Sequence, residues 1–221
     1  HGLRQAAEIA RLNSELQSAA VGSSMQWRVM EVAQVIDESE DCRSFYLVDP
    51  YGQALPAFQP GQHLLVRPAL AGAFQTTRCY SLSHSPDSRF WRITVKRQTV
   101  DARRPRDQEG GLSQWLHDRI GVGDCLLVGG PNGQFYLASD NQSPLVLVAA
   151  GVGITPLASI LHWSLQHTPQ RPIQVLFQAK DRQHWPLGKS LHQAALGGQN
   201  LHVETSFSRE TQADLQALQH Q

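Results

Sequence analysis

Apolar and polar positions follow three different rules along this chain. Near the N-terminus, Ile9, Leu12, Leu16 and Ala19 recur at helical spacing with polar residues between them. Gly22-Ser23-Ser24 then breaks the pattern. Residues 1–24 therefore read as a helix and linker, which either packs on the body or joins it to an upstream domain, the linker being slightly favoured. From Trp27 to Phe135 the pattern becomes short β-type runs: Arg28–Ile36, Ser44–Val48, Gln62–Val66, Cys79–Leu82, Trp91–Lys96 and Asp124–Gly129. Asp49-Pro50-Tyr51-Gly52 and Pro60-Gly61 separate runs as turns do. Six short strands at this spacing predict a small antiparallel barrel or sandwich. Leu112, Leu116 and Ile120, four apart, predict its one helix.

After Asn141 the pattern changes again. Pro144–Ala150 is a continuous apolar run, as expected of a strand buried on both faces of a parallel sheet. A glycine-containing turn follows, then a helical pattern at Leu157, Ile160, Leu161 and Leu165, stopped by Pro169. Ile173–Phe177 and Leu201–Phe207 read as further strands, with a helix over Pro186–Leu196 between them. Strands alternating with helices predict an open α/β sheet. The boundary between the two halves falls around Ala138–Pro144.

Composition narrows the function. Of 221 residues, 41% are hydrophobic, enough to bury a core and to exclude disorder over most of the chain. Lys+Arg and Asp+Glu number 19 each, a balance that argues against binding nucleic acid through its phosphates. Cys42, Cys79 and Cys125 are widely spaced and form no C-x-x-C pair, so zinc, an all-cysteine iron–sulfur cluster and a disulfide framework are not expected within this chain. That cysteine usage predicts a reducing, cytoplasmic setting. The longest apolar run, Leu145–Ala150, is far short of the ~18 residues of a membrane span, so no membrane insertion is expected. The chain starts at His1 without a signal-peptide core and reads as a soluble piece of a longer protein.

Three motifs carry candidate chemistry. Arg78-Cys79-Tyr80-Ser81-Leu82 lies on a barrel strand, where alternation puts Arg78, Tyr80 and Leu82 on one face and Ser81 on the other. A cation, an aromatic plate and a hydroxyl so close together suit a phosphate joined to a ring system; an ordinary strand with a surface Arg and a packed Tyr fits equally well. Gly110-Gly111-Leu112-Ser113 opens a helix, where free N–H groups attract an anion and Ser113 can add a hydroxyl or cap the helix. Gly151-Val152-Gly153-Ile154-Thr155-Pro156 joins a buried strand to a helix, where ligands of open α/β sheets bind. Pro156 stands where G-x-G-x-x-G requires its third glycine, so this is no standard Rossmann fingerprint. Taken singly, the last two also fit plain structural turns.

In this order the motifs resemble the ferredoxin–NADP reductase superfamily. Pro60-Gly61-Gln62, Ile93-Thr94-Val95-Lys96-Arg97 and Gly130-Pro131-Asn132-Gly133-Gln134-Phe135 add matches, and the resemblance runs from about Trp27 to Arg209. It implies a six-stranded antiparallel FAD-binding barrel over residues 25–140 and an incomplete parallel α/β NAD(P)-binding domain over residues 141–221. By the same resemblance, Arg78 grips the flavin phosphates, Tyr80 stacks on the isoalloxazine, Ser81 lies near flavin N5, and Leu82 completes that strand. Thr94, Val95 and Lys96 run along the flavin, while Gly110, Gly111, Leu112 and Ser113 cradle the pyrophosphate. Gly151, Gly153, Thr155 and Pro156 line the nicotinamide path, and Ser208-Arg209 match the pair that contacts the NADP 2′-phosphate. Glu210 leaves NAD possible, because a carboxylate there suits a free ribose hydroxyl.

The implied activity is hydride transfer from NAD(P)H to FAD, then electron transfer to a ferredoxin, a fused [2Fe–2S] domain, a haem protein, or an oxygenase or desaturase component. No acid–base dyad is needed, and the ten histidines read as scattered surface or core residues. The chain lacks the further strand and Cys-Gly-Pro-type motif that family members carry, so a non-catalytic flavin- or nucleotide-binding subunit is the alternative. Arg103-Arg104-Pro105-Arg106 is a basic cluster that suits an acidic partner or simply a solvated loop, the loop being favoured.

Overall fold

The fold is that of a computed structural model of the chain. It describes residues 9–12, 26–69, 76–98, 111–138, 142–197 and 200–209. Gly110, the 103–106 basic cluster and Glu210 lie outside the described residues.

Strands β1 (Trp27–Ser39), β2 (Cys42–Val48), β3 (His63–Pro68), β4 (Arg78–Ser81), β5 (Trp91–Lys96) and β6 (Cys125–Asn132) form one sheet in the order β4-β3-β6-β1-β2-β5. All five pairings are antiparallel. The sheet curls into an open barrel, and its two edges meet where the chain leaving β4 bridges to β5 at Leu82 and Ile93. Alternation explains the core: Met30, Val32, Phe45, Leu47, Leu64, Val66, Ile93 and Leu126 point inward and are fully buried. Helix α1 (Gly111–Arg119) adds Leu112 and Leu116 to that core, at the four-residue spacing visible in the sequence. Gly61 fixes the turn before β3: its φ is +108°, and a Cβ there would lie 2.7 Å from the Phe135 carbonyl oxygen.

Strands β7 (Leu145–Ala150), β8 (Ile173–Ala179) and β9 (Leu201–Phe207) form a second, parallel sheet in chain order. Helices α2 (Ile154–His167) and α3 (Gly188–Gly197) connect them, and Leu147, Val175 and Phe177 pack with Ile154, Leu161 and Leu191 in a separate core. Leu137, at the end of the barrel half, leans on this second core.

Two expectations are corrected. β7 is not buried on both faces: Val146 and Val148 are 58% and 68% exposed. The reason is coverage, since α2 and α3 contribute to the core on one face of a sheet whose edge is β7. Among the described residues nothing covers the other face, which has an open concavity of about 700 Å³ along Val148, Leu176 and Glu204. Nor is the described part of the N-terminal segment a free linker. Ile9 and Leu12, in a helical turn at residues 9–12, are buried against Val29, Ala69 and Leu127 on the outside of the barrel.

Candidate functional site

β4 is an edge strand, paired only with β3, with Tyr80 opposite Leu64 and Ser81 opposite His63. Position on the edge explains why Arg78 is exposed while Leu82, four residues on, is fully buried. Tyr80 lies between these extremes, leaning on the barrel core, and burial pushes its phenol pKa up so that it stays neutral. The Arg78 guanidinium donates to the Thr77 carbonyl at 3.1 Å, and among the described residues no carboxylate pairs with it. Among the described residues, it is a cation with most of its donors unpartnered. Thr94 and Val95 are buried and Lys96 is exposed, held to Asp41 at 3.1 Å. Val95 and Leu82 therefore offer a ligand their backbone, not their side chains.

Helix α1 starts beside the end of β5. The Gln98 amide donates to Ser113 Oγ at 3.3 Å, and His117 Nε2 donates to the Val95 carbonyl at 2.9 Å. Burial lowers the His117 pKa, which favours this neutral donor. Leu112 anchors the first turn in the core. Gly111, at φ +53°, has nothing among the described residues within 4 Å of where a Cβ would be. That is the geometry an anion site at a helix N-terminus needs.

The Gly151–Gly153 stretch is a 3₁₀ turn that leads straight into α2, with Pro156 in the first helical turn. Thr155 Oγ1 donates back to the Val152 carbonyl at 3.0 Å, so this hydroxyl tightens the turn itself. The turn touches β5, which brings it to the flank of the β4–β5 junction. Ser208 and Arg209 follow β9 at the same carboxyl end of the sheet and are exposed. Their amides donate to the carbonyls of Ala179 and Lys180 at 3.0 and 2.9 Å, which holds both side chains on the rim.

Sequence reasoning missed the seam between the halves. Ser159 Oγ of α2 donates to the His84 carbonyl at 2.7 Å, Ser85 Oγ donates to Gln166 Oε1 at 2.7 Å, and the rings of His84 and His162 lie edge-on at 5.4 Å. A second contact joins the Glu40 amide to the Gln183 carbonyl at 2.9 Å. These histidines are separated by most of a domain in sequence, and no spacing rule connects them.

Burial, reinforced by Arg92 and His84, pulls the His162 pKa down to about 3. The folded chain thus keeps His162 neutral, while the unfolded chain protonates it below about pH 6.5. Stability is fully present above that value and falls as pH drops toward 3, by on the order of 2 kcal/mol at pH 5. Urea midpoints should fall between pH 7 and pH 5, and His162→Gln should flatten the difference. Equal slopes in the parent and the variant would contradict this.

Residues 29–136 match the model of an oxidoreductase FAD-binding domain. A flavohemoprotein of Halalkalibacterium halodurans is 34% identical over 198 residues, 89% of this chain and 47% of the relative. One from Chromobacterium violaceum is 34% identical over 205 residues, 92% of this chain and 50% of the relative. The solved flavohem-like FAD/NAD binding domain of a nitric oxide dioxygenase from Vibrio cholerae superposes with a TM-score of 0.75 at 30% identity, covering 85% of this chain and 76% of that one. The chain belongs to the ferredoxin–NADP reductase superfamily. Within that superfamily it contains the FAD-binding domain, and it spans about half the length of the curated relatives it matches. Among the described residues no helix is long and apolar enough to cross a membrane.

Proposed function

We propose that this chain is an FAD-dependent NAD(P)H reductase module that passes electrons to a haem protein. The observation that carries the reading is what gathers where the two sheet edges meet: Arg78-Cys79-Tyr80-Ser81 on β4, and the Gly151–Gly153 turn against β5. The residues present fit FAD. Among the described residues, Arg78 keeps donors for a phosphate and the α1 start at Gly111 is open for a pyrophosphate, while Tyr80 is an aromatic ring only partly buried against the barrel core. When bound, the flavin supplies a two-electron acceptor for the nicotinamide hydride and an outlet of one or two electrons.

The chain's own part is positioning. Arg78 would bind phosphate, Tyr80 would orient the ring as a neutral plate, and Ser81 would present its hydroxyl to the reacting edge. Gly151, Gly153 and Pro156 would let the nucleotide backbone approach, and Ser208-Arg209 would favour NADPH over NADH through the 2′-phosphate. The flavohemoprotein relatives support a haem acceptor over an iron–sulfur protein, oxygenase or desaturase partner. The unpaired thiols of Cys42 and Cys79 support a reducing, cytoplasmic setting.

The bare face of the three-stranded sheet favours a second reading, in which the chain binds flavin without catalysing its reduction. Anaerobic mixing of the FAD-loaded chain with NADPH separates the two. Bleaching of the flavin colour supports the reductase; retention of colour with flavin bound supports the subunit.

A further inference from the structure

Arg92 is an arginine where a barrel strand needs none. It points outward from β5, on the face opposite Ile93 and Val95, yet it is only 5% exposed because the seam covers it. Nε donates to Ser83 Oγ at 3.0 Å, NH2 donates to the Ser83 carbonyl, and NH1 reaches Tyr46 Oη at 3.4 Å. Among the described residues no carboxylate pairs with it directly. A buried cation costs folding energy unless its hydrogen bonds are complete, so an apolar residue would be the cheaper choice here.

The guanidinium meets a chain of hydroxyls. Ser44 Oγ donates to Glu38 Oε1 at 2.5 Å and lies 2.8 Å from Thr94 Oγ1, which lies 2.8 Å from Ser83 Oγ; Ser83 Oγ accepts from Arg92 Nε and donates to the Arg92 carbonyl at 3.3 Å. Ser83 is thereby tied to Arg92 through both its hydroxyl and its carbonyl, and the hydroxyl line continues to the Glu38 carboxylate.

The grip on Ser83 falls between two functional elements. Ser81 lies two residues before it, on the flavin strand, and the chain crosses to β5 at Leu82. His84 and Ser85 follow directly and hold Ser159 and Gln166 of α2, the helix that grows out of the Gly151–Gly153 turn. We propose that Arg92 is a positioning residue for hydride transfer: by holding Ser83 through both its carbonyl and its hydroxyl, it fixes the flavin strand and the nucleotide loop at one separation. The inference rests on the reductase reading. It places no demand on flavin affinity, since the bonds of Arg92 go to Ser83 and Tyr46 and to neither Arg78 nor α1.

The test uses the whole chain loaded with FAD, with Arg92→Met, Arg92→Lys and Ser159→Ala. Misplacement of reacting atoms by about 1 Å costs up to about a hundredfold in rate. Arg92→Met should therefore slow flavin reduction at saturating NADPH by at least about tenfold, weaken the nicotinamide–flavin charge-transfer absorbance, and leave FAD affinity nearly unchanged. Arg92→Lys should recover part of the rate. Parent-like reduction and charge transfer in Arg92→Met would overturn the proposal. If that variant fails to fold, Ser159→Ala decides, because it cuts only the α2 end of the linkage: slower reduction with unchanged FAD affinity supports the proposal, and an unchanged rate overturns it. A parent that NADPH does not reduce would refute the reductase reading alone. Hydrogen exchange of the flavin-free chain then decides for Arg92, whose replacement should speed exchange at the Ser83 amide, bonded to the Arg92 carbonyl at 2.9 Å, and along the seam-facing turns of α2. Exchange unchanged at both places would overturn the proposal.

Discussion

Arg78→Ala is expected to weaken FAD binding by about ten- to a hundredfold, the worth of one charge-assisted phosphate contact at about 1.5–3 kcal/mol. The expectation follows from where the strand puts this residue. β4 is the sheet edge, so Arg78 stands in solvent, tied only to the neighbouring Thr77 carbonyl and opposed by no carboxylate among the described residues. Its removal breaks no ion pair among the described residues, and the fold should survive with an unchanged urea midpoint. Arg78→Lys keeps the charge but loses the planar fork, and should fall between parent and alanine. Titration of flavin fluorescence measures all three. An alanine variant that holds FAD as tightly as the parent would move the phosphate site elsewhere.

Arg209→Ala should lower the preference for NADPH over NADH by about ten- to a hundredfold, with NADH almost untouched. Ser208 and Arg209 stand at the carboxyl rim of the parallel sheet, where nucleotides bind in such folds, and their backbone is pinned to Ala179 and Lys180. A guanidinium there matches a 2′-phosphate with two parallel bonds, and the adjacent hydroxyl adds another. Reduction rates over a range of each nucleotide, for parent and variant, give the ratio directly. Equal losses for both nucleotides, or a parent that already favours NADH, would assign this rim a different role.

The strands were the most legible part of the fold. Trp91–Lys96 is found as expected, because Trp91, Ile93 and Val95 alternate with Arg92, Thr94 and Lys96. β1 runs past its expected end at Ile36 to Ser39, since its hairpin partner continues to pair with the polar residues Asp37 and Ser39. An apolar pattern does not show such pairs. The one-sided burial of β7 was also hidden: Val146 and Val148 read as core, and only the placement of α2 and α3 shows which face they miss.

At the site, the local signals were legible and the long-range ones were not. Arg78, Tyr80 and Ser81 stand together on four residues, and Gly111 and Gly151 mark their turns by composition alone. The seam of Arg92, His84 and His162 could not be read this way. Alternation identifies Arg92 as outward-facing, and outward on any other barrel strand would mean water. Here it means the second domain, and this is known only once α2 has been packed against the loop after β4.

The most direct test of the account is an anaerobic titration of the FAD-loaded chain with NADPH, followed by the visible flavin spectrum. The account predicts complete bleaching at about one equivalent of nucleotide, as two-electron transfer from one hydride donor to one flavin requires, and return of the colour when an oxidised haem protein is added. A flavin that stays bound and fully coloured through excess NADPH would contradict it.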